Sequence, residues 1–446
     1  MITPPGQRTI HFVALGCPKN RVDTEVLAGI AARAGLAIVG DPYDADVIVV
    51  NTCGFIESAR EESVAALLEM GRYRTEGRCR TLVAAGCLAQ RFGADLARDL
   101  PEIDFFLGTA ELEKLGEILD ARAVERLRAS PPAHFLQAAG TPRFLEPGAP
   151  SAYVKIADGC SRKCAFCAIP GIRGQARSRP IAEIAAEAAR LAAQGVVELN
   201  LVAQDTSAYG HDLGDGADLV ALVRALEAVD GVRWIRLLYL YPDAVTDALL
   251  EAMAASAKLV PYLDVPIQHA SAAMLRRMRR GHGPRELQRL VSRVRRIVPG
   301  AFLRTAVLVG HPGETAADVD ALVAFVRGAE FDHLGAFRYS AEEGTASARL
   351  GGAVPKRDAY NRWRRVMKEQ RAISRRRLAA LVGATVEVLV EGADDESGYV
   401  LRGRHRGQAP EVDGVTYLVS SEADVGDLVT ARVVEASDHD LVAEPI

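Results

Sequence analysis

The chain has 446 residues, of which 49% are hydrophobic and 25% charged, and its formal net charge is −4. This length exceeds what one hydrophobic core usually organises, so we expect two or three domains of an ordinary soluble protein. The sequence has no apolar run long enough to span a bilayer and no signal peptide at its start, which predicts a cytoplasmic protein without a membrane partner.

The first domain, predicted over residues 8–120, alternates short apolar runs with helical patterns. Such runs, rich in β-branched residues, are typical of buried parallel strands, and the alternation indicates an open α/β sheet. Residues 121–145 are rich in Arg, Ala and Pro and are predicted to form a linker. The predicted strands are 11–15, 46–50, 81–85 and 104–107.

The second domain, predicted over residues 146–380, repeats a strand followed by a helix six times. Six such units predict a partial (β/α)6 barrel, whose chemistry lies at the carboxyl ends of its strands. A basic amphipathic helix is predicted at 355–382. The predicted strands are 153–157, 197–202, 234–240, 262–266, 303–309 and 333–339. The predicted helices between and after them are 182–193, 219–228, 246–254, 272–279, 286–297 and 316–326.

The last domain, predicted over residues 383–446, consists of short strand-like runs with glycine-containing turns. The five predicted strands are 385–390, 399–404, 415–419, 428–434 and 441–443. This pattern predicts a small β-barrel of the oligonucleotide-binding type. The segment carries four basic and fourteen acidic residues, a balance of −10. Such a domain repels a phosphate backbone and attracts a basic protein, which disfavours nucleic acid as the substrate. An acidic surface kept for solubility is the alternative.

Three of the seven cysteines, Cys160, Cys164 and Cys167, lie within eight residues, and Phe166 directly precedes the third. In a chain without an export signal, cysteines favour metal ligation over disulfides. Soft thiolates select iron–sulfur clusters, zinc or copper(I), but structural zinc needs four ligands and the next His is His211. The spacing therefore predicts an iron–sulfur cluster with one iron left open, with a zinc loop as the alternative.

A second set of cysteines, Cys17, Cys53 and Cys87, stands directly after three predicted strands of the first domain. The carboxyl ends of parallel strands share one crevice, so we expect these three thiols to converge. Three buried small hydrophobic residues are the alternative, because free cysteines are often core residues. Cysteines after three of four strands favour a second three-thiolate cluster. Cys79 lies outside the pattern.

The triad at 160, 164 and 167 resembles that of radical S-adenosylmethionine (SAM) enzymes, and the two triads with a terminal β-domain resemble the methylthiotransferases. Within that family the chain is most similar to the branch that modifies an aspartate of ribosomal protein S twelve. One departure is His311, where the family usually carries Phe. The similar motifs are Gly-Cys-Pro-Lys-Asn at 16–20, Ala-Asp-Gly-Cys at 157–160, Cys-Ala-Ile-Pro at 167–170, Val-Ala-Gln-Asp-Thr at 202–206, Leu-Asp-Val-Pro-Ile-Gln-His-Ala-Ser at 263–271 and Tyr-Ser-Ala-Glu-Glu-Gly-Thr at 339–345.

The resemblance implies two 4Fe–4S clusters and S-adenosyl-L-methionine as cofactors. The barrel cluster would generate a 5′-deoxyadenosyl radical, and the other would carry the sulfur that is methylated and inserted. The implied partners are ribosomal protein S twelve, free or in the small subunit, and an electron donor of the flavodoxin or ferredoxin type. The alternatives are a tRNA adenosine methylthiotransferase and, from another class, a non-catalytic iron–sulfur carrier or scaffold. The latter would normally ligate every iron.

Further candidate site residues lie near the predicted strand ends of the barrel, and no catalytic group beyond the clusters is expected. For each side chain, a structural hydrogen bond is the alternative. The glycines would allow close backbone approach to SAM, and the arginines would hold a carboxylate. The candidates for binding SAM are Gln204, Gln268, Arg304, Gly310 and Gly313, and those for binding the substrate are Arg173, Arg177, Asp205 and Tyr339.

Overall fold

The computed structural model describes residues 6–131, 136–214, 216–393, 399–419 and 422–446. Within these ranges, none of the helices combines the length and the apolar character needed to cross a membrane. Two parallel sheets and one closed barrel follow each other along the chain. The expected α/β architecture with a terminal β-barrel is therefore confirmed.

The first sheet has six parallel strands in the order β2-β1-β3-β4-β5-β6. All six residues of its central strand β3 are buried, because Val47 and Val49 pack on one face and Ile48 and Val50 on the other. The strands are β1 (Thr9–Ala14), β2 (Ala37–Ile38), β3 (Val47–Thr52), β4 (Thr81–Gly86), β5 (Phe105–Leu107) and β6 (Leu127–Arg128). The helices are α1 (Pro18–Arg33), α2 (Glu57–Gly71), α3 (Tyr73–Glu76), α4 (Cys87–Asp99) and α5 (Leu115–Leu119).

The four strands predicted for this domain correspond to β1, β3, β4 and β5. The sequence did not indicate the two-residue strands β2 and β6 at the edges of the sheet. Strand β6 lies within the residues predicted as a linker, whose positions 132–135 fall outside the described residues. The sheet therefore extends further along the chain than the apolar runs indicate.

The second sheet has six parallel strands in the order β14-β13-β12-β11-β10-β7, as predicted for a partial barrel. In β13, Leu303, Val307 and Val309 pack into the core under the helices, and the alternate residue Arg304 faces the barrel interior. The strands are β7 (Ser151–Lys155), β10 (Glu198–Val202), β11 (Trp234–Leu237), β12 (Leu259–Asp264), β13 (Phe302–Val309) and β14 (His333–Arg338), and a two-stranded antiparallel ribbon joins β8 (Ala157–Asp158) to β9 (Arg177–Ser178).

The helices of this domain cover the outside of the sheet, close to their predicted positions, except for the short helix α6, which was not predicted and packs against α4 of the first domain. The predicted basic helix is α13, which packs Val366 and Ile373 against the barrel core. The helices are α6 (Ile169–Arg173), α7 (Ile181–Ala192), α8 (Leu219–Glu227), α9 (Asp247–Ala255), α10 (Ala272–Arg277), α11 (Pro284–Ile297), α12 (Ala316–Ala329) and α13 (Lys356–Ala379).

The C-terminal domain is a closed five-stranded barrel in the order β15-β16-β17-β19-β18. Its five strands agree with the five predicted runs, although the predicted run at 399–404 becomes a strand only from Leu401. Residues 394–398 and 420–421, which include three of the fourteen acidic residues, lie outside the described residues. The strands are β15 (Thr385–Ala393), β16 (Leu401–His405), β17 (Thr416–Leu418), β18 (Leu428–Ala436) and β19 (Leu441–Pro445).

The C-terminal domain closes the amino-terminal end of the partial barrel with charged side chains. Glu198, at the start of β10, is fully buried and pairs with Arg236 at 2.9 Å and with Arg404 of β16. Burial raises the pKa of Glu198, but the positive charges of Arg404 and Arg236 outweigh it and lower the pKa to about 2. The two domains therefore share one buried ion network.

A second contact at this end comes from Asp413, whose side chain is 1% exposed. It accepts a hydrogen bond from Tyr262 Oη at 2.6 Å and lies 3.4 Å from both Arg304 Nε and His333 Nδ1. These three barrel residues face the interior, so a carboxylate of the C-terminal domain lies inside the partial barrel beside the charge of Arg304.

Candidate metal centres

The barrel triad lies on the loop between β8 and α6. Gly159 has a φ of +78°, and a Cβ at that position would stand 2.1 Å from the carbonyl oxygen of Gln175, so only glycine fits. Backbone hydrogen bonds fix the loop to its surroundings: the Cys160 amide donates to Gly174 at 2.9 Å and the Ala165 amide to Met278 at 2.9 Å. The short spacing of the three cysteines is thus held in one shape by neighbouring backbone.

Two arginines support this loop on either side of Tyr241. The guanidinium carbons of Arg162 and Arg280 lie 3.9 Å and 4.0 Å from the ring centroid of Tyr241. Arg280 Nη1 also donates to Cys164 Sγ at 3.3 Å. Arg162 Nε donates to Asp205 at 2.6 Å, so Asp205, a candidate substrate ligand, is paired with the cysteine loop.

The second triad lies where three adjacent strands end. Sheet order places β1, β3 and β4 side by side; Cys17 follows β1 at the start of α1, Cys53 follows β3, and Cys87 opens α4. Gly16 has a φ of +96°, and a Cβ there would stand 2.9 Å from Cys53 Cβ. The structure therefore brings together the three cysteines that sequence reasoning grouped.

One side chain of α1 connects all three cysteine-bearing loops. Asn20 Nδ2 donates to the carbonyls of Leu15, at 3.0 Å, and Thr52, at 2.9 Å, which lie just before the loops of Cys17 and Cys53. Asn20 Oδ1 lies 3.6 Å from Cys87 Sγ. Sequence reasoning missed this role; its only signal was the position of Asn20 within the motif at 16–20.

The chemistry of both triads fits iron–sulfur ligation. Burial raises the pKa of the Cys53 thiol, that of Cys87 to about 11 and that of Cys167 to about 12, so these thiols are neutral until a metal displaces their protons. No set of three His, Cys, Asp or Glu in the described ranges is arranged to hold a single metal ion. A cubane needs a wider arrangement, because each thiolate binds a different iron.

A buried ion network joins the two triads. Lys155 Nζ lies 2.5 Å from Asp23 and 3.3 Å from Asp158, and Arg173 pairs with the same two carboxylates at 2.8 Å and 3.2 Å. All four side chains are at most 5% exposed. Burial raises the pKa of Asp158, but the charges of Lys155 and Arg173 outweigh it and hold the pKa far below its usual range. Asp23 belongs to the first domain and the other three residues to the barrel.

Arg173 also reaches the second triad. Its Nη2 donates to Asn20 Oδ1 at 2.7 Å and lies 3.5 Å from Cys87 Sγ. The sequence left two roles for Arg173, a structural one and the holding of a carboxylate of SAM or the substrate; the carboxylates it holds in the structure are Asp23 and Asp158. A contact of Arg173 with a ligand stays a prediction.

A second clamp between the two domains lies beside Cys53. Glu342, with a side chain that is 2% exposed, pairs with Arg60 of α2 and, at 2.8 Å, with Arg91 of α4. Arg91 Nη1 in turn donates to the carbonyl of Gly54 at 3.0 Å. The segment after β14 therefore fixes the loop that carries Cys53. Sequence reasoning quoted this segment for its motif and assigned Glu342 no role.

Two of the candidate ligand residues present buried polar atoms without a partner among the described residues: Gln204 Oε1 and Tyr339 Oη. Gln204 Nε2 meanwhile donates to Asp158 at 3.2 Å, which places its amide beside the barrel triad. A buried polar atom without a partner is costly, so these two atoms are suited to a bound ligand. Gln268 adopts a φ of +68° and forms a backbone bridge to Val307 of β13.

The remaining candidates have structural surroundings. A Cβ at Gly310 would stand 2.7 Å from Ala359 Cβ, and one at Gly313 would stand 2.6 Å from the guanidinium of Arg277. Packing and left-handed backbone therefore account for both glycines. Arg304 pairs with Asp264 at 3.0 Å inside the barrel, and Arg177 pairs through its backbone with Asp158 in the β8–β9 ribbon. Their binding roles stay predictions.

His311, the departure from the family pattern, is fully buried. Its Nδ1 lies 3.2 Å from the Pro312 carbonyl and its Nε2 2.8 Å from Ser347 Oγ, so Nδ1 carries the proton and Nε2 accepts from the hydroxyl. Burial lowers its pKa to about 4, which keeps the ring neutral. The ring packs edge-on against Tyr339 at 5.1 Å, as an aromatic residue can.

Comparison with known proteins agrees with this architecture. Family models match residues 9–108 (uncharacterized protein family UPF0004), 154–326 (radical SAM superfamily) and 382–446 (TRAM domain). The ribosomal protein uS12 methylthiotransferase RimO of Sorangium cellulosum is 53% identical over 98% of this chain and 91% of its own length. The chain belongs to the RimO family of methylthiotransferases. The Anaeromyxobacter sp. (strain K) RimO is 50% identical over 98% of this chain and 93% of its own.

Solved structures with the same fold are more distant. The radical SAM methyltransferase TsrM from Kitasatospora setae superposes with a TM-score of 0.54 at 17% identity, covering 74% of this chain and 75% of that one. The cobalamin-dependent radical SAM enzyme OxsB gives 0.50 at 10% identity, covering 81% of this chain and 56% of that one. As a member of the RimO family the chain is a transferase, and its radical SAM domain implies one 4Fe–4S cluster and SAM. Cys160, Cys164 and Cys167 lie inside the matched residues.

Proposed function

We propose that this protein adds a methylthio group to the β-carbon of an aspartate in ribosomal protein uS12, with a 4Fe–4S cluster on each cysteine triad. The observation that supports it best is the shared buried network. Arg173 contacts Cys87 of one triad and Asp158, two residues before Cys160, of the other. An enzyme that uses two clusters on one substrate needs both at the same interior surface.

The protein's residues would hold, align and shield the cofactors. When bound, the clusters and SAM would supply a radical that removes hydrogen from an unactivated carbon and a methylated sulfur that replaces it. Each triad offers three thiols, which leaves one iron of a cubane open to a ligand. Gln204 Oε1 and Tyr339 Oη, buried without partners among the described residues, would orient SAM or the aspartate. The buried interface between the domains would exclude water.

The charge of the C-terminal domain supports a protein substrate, although fewer acidic residues are available than the sequence suggested. Asp413 and Asp438 are engaged with the barrel and α13. Exposed acidic side chains remain in the loop before β18, on β18 and near the end of β19, and together they form the acidic surface of this domain; they are Glu422, Asp424, Asp427, Glu435 and Glu444. A basic ribosomal protein fits this surface better than a tRNA backbone does. A flavodoxin- or ferredoxin-type protein would deliver electrons, in the cytoplasm where ribosomes are found.

The proposal is tested by mass spectrometry of uS12 from cells that lack the gene and carry either the intact chain, Cys53→Ala or Cys79→Ala. We expect a methylthio increment on one aspartate-containing peptide with the intact chain and with Cys79→Ala, and none with Cys53→Ala. Cys79 is a matched control because it is also buried but lies outside both triads. If uS12 from cells that lack the gene still carries the methylthio increment, and a methylthiolated tRNA nucleoside is missing instead, the choice of substrate is reversed.

A further inference from the structure

Arg173 is a barrel residue that reaches across the interface to a cysteine of the other domain. We propose that Arg173, aligned by Asn20, is a positioning residue that raises the reduction potential of the cluster on Cys17, Cys53 and Cys87 and couples that cluster to the docking of the barrel. This inference rests on the proposed function, because it requires a cluster on that triad.

Asn20 links the cysteine loops of the first domain to Arg173 of the barrel. Its side-chain amide holds the backbone before the loops of Cys17 and Cys53 through the carbonyls of Leu15 and Thr52. Its side-chain oxygen, Oδ1, accepts a hydrogen bond from Arg173 Nη2 at 2.7 Å. A barrel guanidinium therefore fixes the one side chain that connects all three cysteine loops.

Arg173 brings a positive charge close to Cys87. Arg173 Nη2 lies 3.5 Å from Cys87 Sγ, and its side chain is only 2% exposed, so solvent screens the charge little. Hydrogen bonds and positive charge at a ligating sulfur stabilise the reduced cluster and make its potential less negative. The carboxylates of Asp23 and Asp158, with Lys155, hold the guanidinium in place.

The barrel triad has an arginine beside one of its cysteines as well. Cys164 Sγ of the barrel triad also accepts a hydrogen bond from an arginine, Arg280 Nη1, at 3.3 Å. That arginine belongs to the same domain as its cysteine, and its other hydrogen bond goes to the Pro266 carbonyl at 2.7 Å. Arg280 is therefore a control of the same residue type at the other triad. The charge of Arg173 lies beside Cys87 only when the two domains are docked.

The experiment isolates the first triad in the full chain by replacing Cys160, Cys164 and Cys167 with Ala. After reconstitution, the remaining cluster is titrated with dithionite and followed by electron paramagnetic resonance. In this background we expect Arg173→Gln to shift the potential to a more negative value and Arg280→Gln to leave it unchanged. Arg173→Lys, which keeps the charge but cannot span Asn20, Cys87 and both carboxylates, should shift it by less.

Equal potentials for the parent and Arg173→Gln, with iron content retained, would overturn the proposal, and so would an equal shift in Arg280→Gln. If Arg173→Gln holds no cluster, the decision passes to Arg173→Lys: an altered potential or spectrum supports the proposal and an unaltered one overturns it. Failure of the proposed function would look different, because the three-alanine parent itself would then bind no iron and sulfide.

Discussion

The two cysteine triads differ in how the chain brings their thiols together. Cys160, Cys164 and Cys167 lie on one loop, which contacts of its own domain hold in shape. Cys17, Cys53 and Cys87 come from three strand ends, and their alignment depends on Asn20 and on residues of the barrel. A local triad is thus defined by spacing, whereas a dispersed triad also requires the correct docking of another domain.

The largest expected effect separates the two triads by function. Cys53→Ala should lose about half of the roughly eight irons of the reconstituted chain but still form 5′-deoxyadenosine with SAM and dithionite. Cys164→Ala should lose a similar amount of iron and form none. Iron analysis and chromatography of the nucleoside check both. Loss of 5′-deoxyadenosine in both variants would contradict the division of roles.

An intermediate effect is expected when the glycine that allows the conformation of each cysteine loop is replaced. Gly159→Ala places a Cβ 2.1 Å from the Gln175 carbonyl oxygen, and Gly16→Ala places one 2.9 Å from Cys53 Cβ, both at positive φ. We expect each to cost roughly 3 kcal/mol of unfolding free energy, from backbone strain and overpacking together. Spectra should show loss of the barrel cluster in the first variant and of the other cluster in the second.

Gly195→Ala is the matched control for these two variants. Its φ is +97°, but a Cβ there has no atom within 4 Å. Strain alone should cost about 1–2 kcal/mol and leave both clusters bound. Urea unfolding measures the cost; an equal loss in all three variants would mean that the contacts at the loops contribute nothing.

The smallest expected effect concerns the pH dependence of the docking between the first domain and the barrel. Only the dispersed triad depends on this docking. Burial raises the pKa of Glu342, but Ser340 and the arginines Arg91 and Arg60 outweigh it and lower the pKa below its ordinary value of 4.5. Because the folded-state pKa is lowered, this stabilisation is complete above about pH 4.5 and is lost as the pH falls below it. Glu342→Gln should therefore flatten the acid side of the stability profile of the apo chain.

At pH 7 the same variant should lose about 2 kcal/mol of unfolding free energy, because two arginines lose a charged partner while Arg91 still donates to the carbonyls of Gly54 and Glu343. Glu369→Gln is the control: its partner Arg327 is 65% exposed, and exposed pairs contribute less than about 1 kcal/mol. Urea unfolding between pH 7 and pH 4 checks both variants. Identical profiles for the two would show that Glu342 does not support the interface.

Much of the fold was predictable, because buried parallel strands such as β3 are continuous apolar runs and the partial barrel repeats its unit six times. The two-residue strands β2 and β6 were not, since two residues carry no periodicity. Both triads could be grouped from the sequence for different reasons: one by spacing, the other because its cysteines follow strands of a single parallel sheet.

The residues that align the triads could not be predicted in the same way. Lys155 and Asp23 are 132 positions apart, and a charged residue in a strand or helix gives no sign of its partner. Arg173 illustrates the limit, because sequence reasoning identified its chemistry, the holding of carboxylates, but not that Asp23 and Asp158 are within its reach. Pairing across a domain interface depends on docking, which local patterns do not encode.

Asp413 limits how this protein can be recombined with its relatives. That carboxylate of the C-terminal domain contacts Tyr262, Arg304 and His333 inside the partial barrel. The two domains are therefore best exchanged together. A chimera that takes residues 383–446 from another protein loses these contacts unless the new domain places an acid at the same point. To preserve the contacts inside the partial barrel, an exchange of the C-terminal domain should therefore keep Asp413 and the loop that presents it.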